Sequence, residues 1–91
     1  MKSLKTITLN NLQKVKSSNI AQVGFDEGVT YVQFTNGNIY KYPETKLEDF
    51  EGLVKAESVG KQFGKTYRNL QKYEKLKDVV LKLNEEENKE A

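Results

Sequence analysis

The sequence predicts an α+β domain: a three-stranded antiparallel β-meander followed by two helices, in the order β-β-β-α-α, with a long C-terminal helix. Three observations predict it. Residues 20–42 hold β-branched and aromatic runs separated by turn residues. Beyond Pro43 the apolar residues recur at helical spacing. Leu, Ile, Val and Phe make up 24 of 91 residues, above the roughly 20% below which disorder is expected, so one small domain can bury a core.

Each element has its own signal. Ile20–Phe25 is a short apolar-rich run, Asp26-Glu27-Gly28 is turn chemistry, and Val29–Thr35 is β-branched and aromatic. Asn36-Gly37 separates that run from Asn38–Tyr42. An Asn-Gly pair between two such runs marks a hairpin, because a type I′ turn needs positive φ at both central positions. Pro43 ends the last strand. Thr45 and Glu48 form a T-x-x-E capping box, each side chain placed to satisfy an orphan amide at a helix start.

Leu47, Phe50, Leu53 and Val54 then predict a helix near 46–57, despite Gly52. After a break at Ser58–Gly60, the last helix is expected from about Lys61 or Lys65 to Leu83. Its apolar positions Phe63, Tyr67, Leu70, Tyr73, Leu76, Val80 and Leu83 step by three or four, as one stripe. Leu4, Ile7 and Leu9 suit either a short strand or a packed arm. The chain therefore divides into an N-terminal arm or short strand (1–16), a single domain (17–83) and an acidic tail (84–91) expected to be disordered.

Composition excludes several kinds of function. The chain has no His and no Cys, which removes the commonest general base, every thiol nucleophile and the usual zinc or iron–sulfur ligand sets. No apolar run approaches a membrane span, and the N-terminus has no apolar signal region. The expectation is a soluble cytoplasmic protein without enzymatic activity, metal or cofactor. The net charge of +2 is an average of unlike parts: the tail carries −3 and the body +5, concentrated in residues 1–19 and 58–83.

Two surfaces could bind a partner. With a two-residue loop at Asn36-Gly37, Phe34 faces Ile39, Gln33 faces Tyr40 and Tyr31 faces Tyr42. Val32, Phe34 and Ile39 then point to the core, while Tyr31, Gln33, Tyr40 and Tyr42 share the other face. Such a face can stack nucleic-acid bases, or it can be covered by the last helix or the N-terminal arm. The second surface is the row Lys61, Lys65, Arg68, Lys72 and Lys75, whose steps of four and three place it on one side of a helix. That row is a phosphate-binding footprint or an ordinary solvated face.

Several motifs are look-alikes. Gly60-Lys61-Gln62-Phe63-Gly64-Lys65-Thr66 has three residues between its glycines where a phosphate-binding Walker loop has four. Ser58-Val59-Gly60-Lys61 fits S-x-x-K, but a chain this short lacks the rest of an acylating serine enzyme. Glu48, Asp49 and Glu51 read as the exposed face of a helix, and Asp26-Glu27-Gly28 is too short for a calcium loop.

Ser17-Ser18-Asn19-Ile20, Val23-Gly24-Phe25-Asp26, Val32-x-Phe34-x-x-Gly37, Tyr40-x-Tyr42, Ala56-x-Ser58-x-Gly60, Phe63, Arg68 and Tyr73 occur in an order and spacing that resemble the KTSC domain. This short domain is seen at the C-terminus of some lysyl-tRNA synthetases and as small stand-alone proteins of bacteria and phages. One departure is that Pro43 follows Tyr42 directly, where the family usually continues a few residues into a Val-Pro. The resemblance implies no established activity, RNA binding being at most proposed, and it implies a bacterial host cytoplasm.

Taken together, the sequence points to a small RNA-binding or single-stranded nucleic-acid-binding module. Tyr31, Tyr40 and Tyr42 would stack bases, Gln33 would make polar contacts, and Lys61, Lys65, Arg68 and Lys72 would hold phosphates. The alternative is a phage-encoded inhibitor that blocks a host defence protein or sequesters a nucleotide signal. A homodimer through the C-terminal helix is a third expectation, if that helix exposes Leu76, Val79, Val80, Leu81 and Leu83.

Overall fold

The computed structural model describes residues 4–68, 70 and 72–84. Among them, β1 (Lys5–Leu9) and β2 (Asn11–Lys14) precede a meander of β3 (Ile20–Asp26), β4 (Val29–Phe34) and β5 (Ile39–Tyr42). Two helices follow, α1 (Leu47–Lys55) and α2 (Val59–Thr66), and then β6 (Glu74–Leu76) and β7 (Val79–Leu83). The order β2-β3-β4-β5-β6 forms one antiparallel five-stranded sheet, and β1 pairs with β7 in a parallel two-stranded sheet. Three layers result: the helices, the large sheet, and the β1–β7 pair on its far face.

The α+β class and the meander are as expected, but the strand count and the last helix are not. The expected helix to Leu83 stops at Thr66, and no helix follows it among the described residues. The stripe of threes and fours hid a second periodicity: Val79, Leu81 and Leu83 also alternate at the strand spacing of two. Leu81 is buried, and Val79 and Leu76 pack with it against Leu9 and Ile39 in a core of their own. The helix expected to carry a homodimer is therefore replaced by strands in which Leu81 is buried, Leu76, Val79 and Leu83 are half-buried and Val80 is exposed. Beyond Asn84, the expected acidic tail lies outside the described residues. Asn84 itself closes β7 against β1 by donating its backbone N–H to Leu9 O at 2.7 Å.

Turn chemistry sets the register. Positive φ at two successive central positions occurs at Glu27 (49°) and Gly28 (80°), which join β3 to β4. At Asn36-Gly37 only Gly37 (96°) is left-handed. There Phe34 N donates to Asn38 O at 2.8 Å and Gly37 N to Phe34 O at 2.9 Å. The loop is thus Thr35-Asn36-Gly37, a type I turn with a glycine bulge. The third loop residue moves the pairing by one, to Gln33↔Ile39, Val32↔Tyr40, Tyr31↔Lys41 and Thr30↔Tyr42. A one-residue slip turns every side chain of a strand over.

So Tyr40 and Tyr42 share the helix-side face with Val32, whereas Tyr31 and Gln33 lie opposite. The expected face holding all four is corrected on this point. A second irregularity, between Ile20 and Gln22, lets Ile20 point into the same core as Val23 and Phe25.

The main core is Ile20, Val23, Phe25, Val32 and Tyr42 from the sheet, closed by Phe50, Leu53, Val59 and Tyr67. The capping box does not form. Lys46 is the N-cap of α1 and makes no side-chain cap. Thr45 Oγ1 instead lies 2.8 Å from Thr30 Oγ1, which is fully buried and 3.2 Å from the Tyr67 hydroxyl. The buried threonine takes the hydroxyl that local sequence would give to the helix.

Gly24 marks where β3 passes beneath the β1–β2 corner. A Cβ there would lie 2.5 Å from Leu9 Cδ1 and 3.0 Å from Asn11 O. Gly24→Ala should destabilise the protein by about 1–3 kcal/mol through overpacking. Urea unfolding is the check, and an unchanged midpoint would show that the corner yields freely.

Candidate functional site

Three adjoining pockets form one groove between α2, the β4–β5 loop and the β2–β3 connection. Its two ends differ in chemistry. Tyr40, Tyr42, Tyr73 and Phe34 line one end, with the amides of Asn36 and Asn38 beside them. Lys16, Lys61, Lys65 and Glu57 line the other, with Ser17 and Ser58. Asn19, Gly60, Phe63 and Gly64 lie between. Arg68 lines all three pockets and joins the aromatic end to the basic one.

The aromatic end is a packed cluster, because sheet and helix both feed it. Phe34 meets Tyr40 and Phe63 edge-on, at 5.7 and 5.6 Å between ring centroids. Tyr42 touches Phe63, Tyr67 and Tyr73, and Phe63 stacks on Tyr67 at 5.8 Å and 13°. Tyr42 is only 6% exposed; burial pushes its phenol up to about 12, with Tyr40 and Tyr73 adding to the effect. It is a core member at the groove floor, not a free stacking face. Tyr40 is half-buried, and Tyr73, 6.0 Å from it, is 58% exposed. Those two rings form the accessible shelf.

The basic end depends on α2. Ser58 caps this helix, its Oγ accepting from Lys61 N, so the S-x-x-K look-alike is a helix start. The Walker look-alike lies on and after that same first turn, in helix and not in loop. Lys61 and Lys65 project one turn apart, Arg68 follows the helix end, and Lys16 approaches from the β2–β3 connection. All four are exposed. Among the described residues, none of the four is in an ion pair, whereas Lys41 pairs with Glu74 and Lys72 with Glu44.

The expected site residues therefore separate. Tyr40, Tyr42, Lys61, Lys65 and Arg68 come together in the groove. Tyr31 sits on the opposite face, half-buried in the second core, where burial raises its pKa despite the opposing charge of Lys41. Gln33, on that same face, accepts from Gln22 Nε2 at 2.7 Å. Lys72 donates to both carboxylate oxygens of Glu44 at 3.0 Å, outside the groove. Lys75 is on β6 opposite Tyr40, so the five-residue row is not one helix face. These corrections follow from the hairpin slip and the early end of α2.

Sequence reasoning passed over Lys16, Asn19, Asn36, Asn38 and Tyr73. Asn19 and Tyr73 stand among the residues that carry the family resemblance, which was the available signal for them. Lys16 carried none, because it reaches the groove only through the fold. Among the described residues, no group of His, Cys, Asp or Glu is placed to hold a metal ion, and no helix is long and apolar enough to cross a membrane.

The family model of the KTSC domain matches residues 16–73. That span contains every groove residue named above and leaves β1 and β7 outside it. No curated protein matches the chain.

Proposed function

The chain belongs to the KTSC domain family, and we propose that its groove binds single-stranded RNA, with bases on the Tyr40–Tyr73 shelf and phosphates along Arg68, Lys61, Lys65 and Lys16. One observation carries this reading. A single arginine borders the aromatic and the basic pockets at once, so ring faces and cations follow one continuous path. An arginine suits that position, since its planar guanidinium both stacks on bases and grips phosphate bidentately.

The pairing of chemistries favours a single strand. Base faces are closed to side chains inside a duplex, whereas an unpaired base can stack on an aromatic ring, worth about 1–3 kcal/mol each. Asn36 and Asn38 offer donors and acceptors beside the shelf, suited to base edges or a ribose 2′-hydroxyl. The exposed half of the groove is thus polar and basic around a small aromatic platform.

Binding of a short unstructured RNA should weaken steeply with salt. Each neutralised phosphate of a single strand contributes a slope of about −0.7 in log K against log[salt]. Three or four contacts predict a slope between roughly −2 and −3. Fluorescence anisotropy across a salt series measures it, and salt-independent binding would refute the proposal.

A further inference from the structure

The basic end of the groove gathers its cations into one cleft, where a single internal phosphodiester would meet several of them with one negative charge. Lys16, Lys61, Lys65 and Arg68 meet there against one acid, Glu57, a net +3 in one cleft. None of the four cations is ion-paired among the described residues. The cleft has a volume of about 640 Å³, in the range of roughly 300–1,000 Å³ that holds whole small molecules. An internal phosphodiester brings a single negative charge. A terminal phosphomonoester brings about −1.5 to −2 at neutral pH, and each further phosphoryl group adds about one more.

We infer that this cleft is a terminal-phosphate site that takes a 5′-polyphosphate, a diphosphate matching its net charge and a triphosphate offering one charge to each of its four cations. The inference rests on the reading of the groove as an RNA site only for the nucleotides attached beyond the phosphates. The triphosphate chemistry itself is shared by the 5′ end of an RNA and by a free nucleoside triphosphate.

Two hydroxyls support the assignment. Ser17 Oγ accepts from the backbone N–H groups of Asn19 and Ile20, and Ser58 Oγ accepts from Lys61 N. Each oxygen is thereby anchored as an acceptor while its own O–H remains to be donated to a phosphate oxygen. Gly60 and Gly64 both line the cleft one helical turn apart. A Cβ on Gly64 would meet nothing within 4 Å, and one on Gly60 would only touch Ser17 Oγ at 3.7 Å. Between them the α2 backbone is left bare toward the cleft. Arg68 stands at the exit toward the Tyr40–Tyr73 shelf, the place for the first base of a chain whose 5′ phosphates occupy the cleft.

The test compares one short RNA carrying a 5′-triphosphate, a 5′-monophosphate or a 5′-hydroxyl, with ATP as competitor, on the full chain at fixed salt. The triphosphate form should bind about tenfold or more tighter than the hydroxyl form, with the monophosphate between. Lys16→Ala combined with Lys61→Ala should bring that ratio close to one; both positions are exposed, and circular dichroism verifies that the variant folds. ATP competing as well as the triphosphate RNA identifies free nucleotide as the source, and weak competition identifies the RNA end. Equal affinity for all three ends, or a ratio that survives the double substitution, overturns the inference while leaving RNA binding intact. Triphosphate binding with no RNA contribution would instead overturn the RNA reading and keep the cleft. No binding to any probe overturns both.

Discussion

Arg68→Ala is expected to weaken binding of a short single-stranded RNA by about ten- to thirtyfold, while Gln33→Ala leaves it unchanged. A hydrogen bond to a charged group contributes about 1.5–3 kcal/mol, and each 1.4 kcal/mol is a factor of ten in affinity. The lower part of that range applies because the Arg68 side chain is exposed. The same exposure, and the lack of an ion pair at Arg68 among the described residues, keep the change in stability within about 0.5 kcal/mol. A lost signal then reports binding and not unfolding.

Gln33 is the informative control. A two-residue hairpin loop would put it beside Tyr40 on the binding face, whereas the three-residue loop pairs Val32 with Tyr40 and turns Gln33 toward Gln22. Anisotropy titrations of both variants check the outcome. Equal losses at the two positions would mean that the RNA follows the other face of the sheet.

The largest effect on stability is expected at Tyr67. Its side chain is fully buried, its ring stacks on Phe63 and meets Tyr42 at 5.5 Å, and its hydroxyl is 3.2 Å from Thr30 Oγ1. Tyr67→Ala removes an aromatic ring from the junction of α2 and the sheet, at a cost of about 3–5 kcal/mol. A domain of this size loses roughly 4–8 °C of Tm per kcal/mol, so the midpoint should fall by at least about 12 °C. Tyr67→Phe separates packing from hydrogen bonding. It keeps the ring and leaves Thr30 with Thr45 Oγ1 at 2.8 Å, so it should cost about 1 kcal/mol. Calorimetric or circular-dichroism melts of the two variants check the ranking. Equal losses would place the stabilisation in the hydroxyl network and not in the ring. Tyr67 also directly precedes Arg68, so the ring that closes the core fixes where the groove's central cation emerges.

Much of the middle of the chain was legible because its signals are local. The strands over residues 20–42, the end of the last of them at Pro43 and the first helix all follow from runs, turn residues and spacing within a few positions of each other. Tyr40-x-Tyr42, Lys61, Lys65 and Arg68 were also visible as candidate binding residues, from residue type and spacing alone. The face on which the tyrosines lie was not, because it hinges on one residue of loop length. Asn36-Gly37 suits a two-residue type I′ turn, yet it serves equally as the end of a type I turn with Gly37 as the bulge.

The ends of the chain were illegible for a different reason. Leu76, Val80 and Leu83 fit a helical stripe, and only pairing with Lys5–Leu9, more than seventy residues away, makes Val79–Leu83 a strand. By itself, then, the sequence determined the α+β class, the meander, the first helix and a chemistry of tyrosines and lysines without His or Cys. The tertiary structure alone decided the register of β5, the end of α2, the β1–β7 layer and the meeting of Lys16 with Lys61, Lys65 and Arg68. Local propensity leaves such choices nearly balanced, and burying Leu9, Ile39 and Leu81 between two sheets tips them through contacts that no short window of sequence contains.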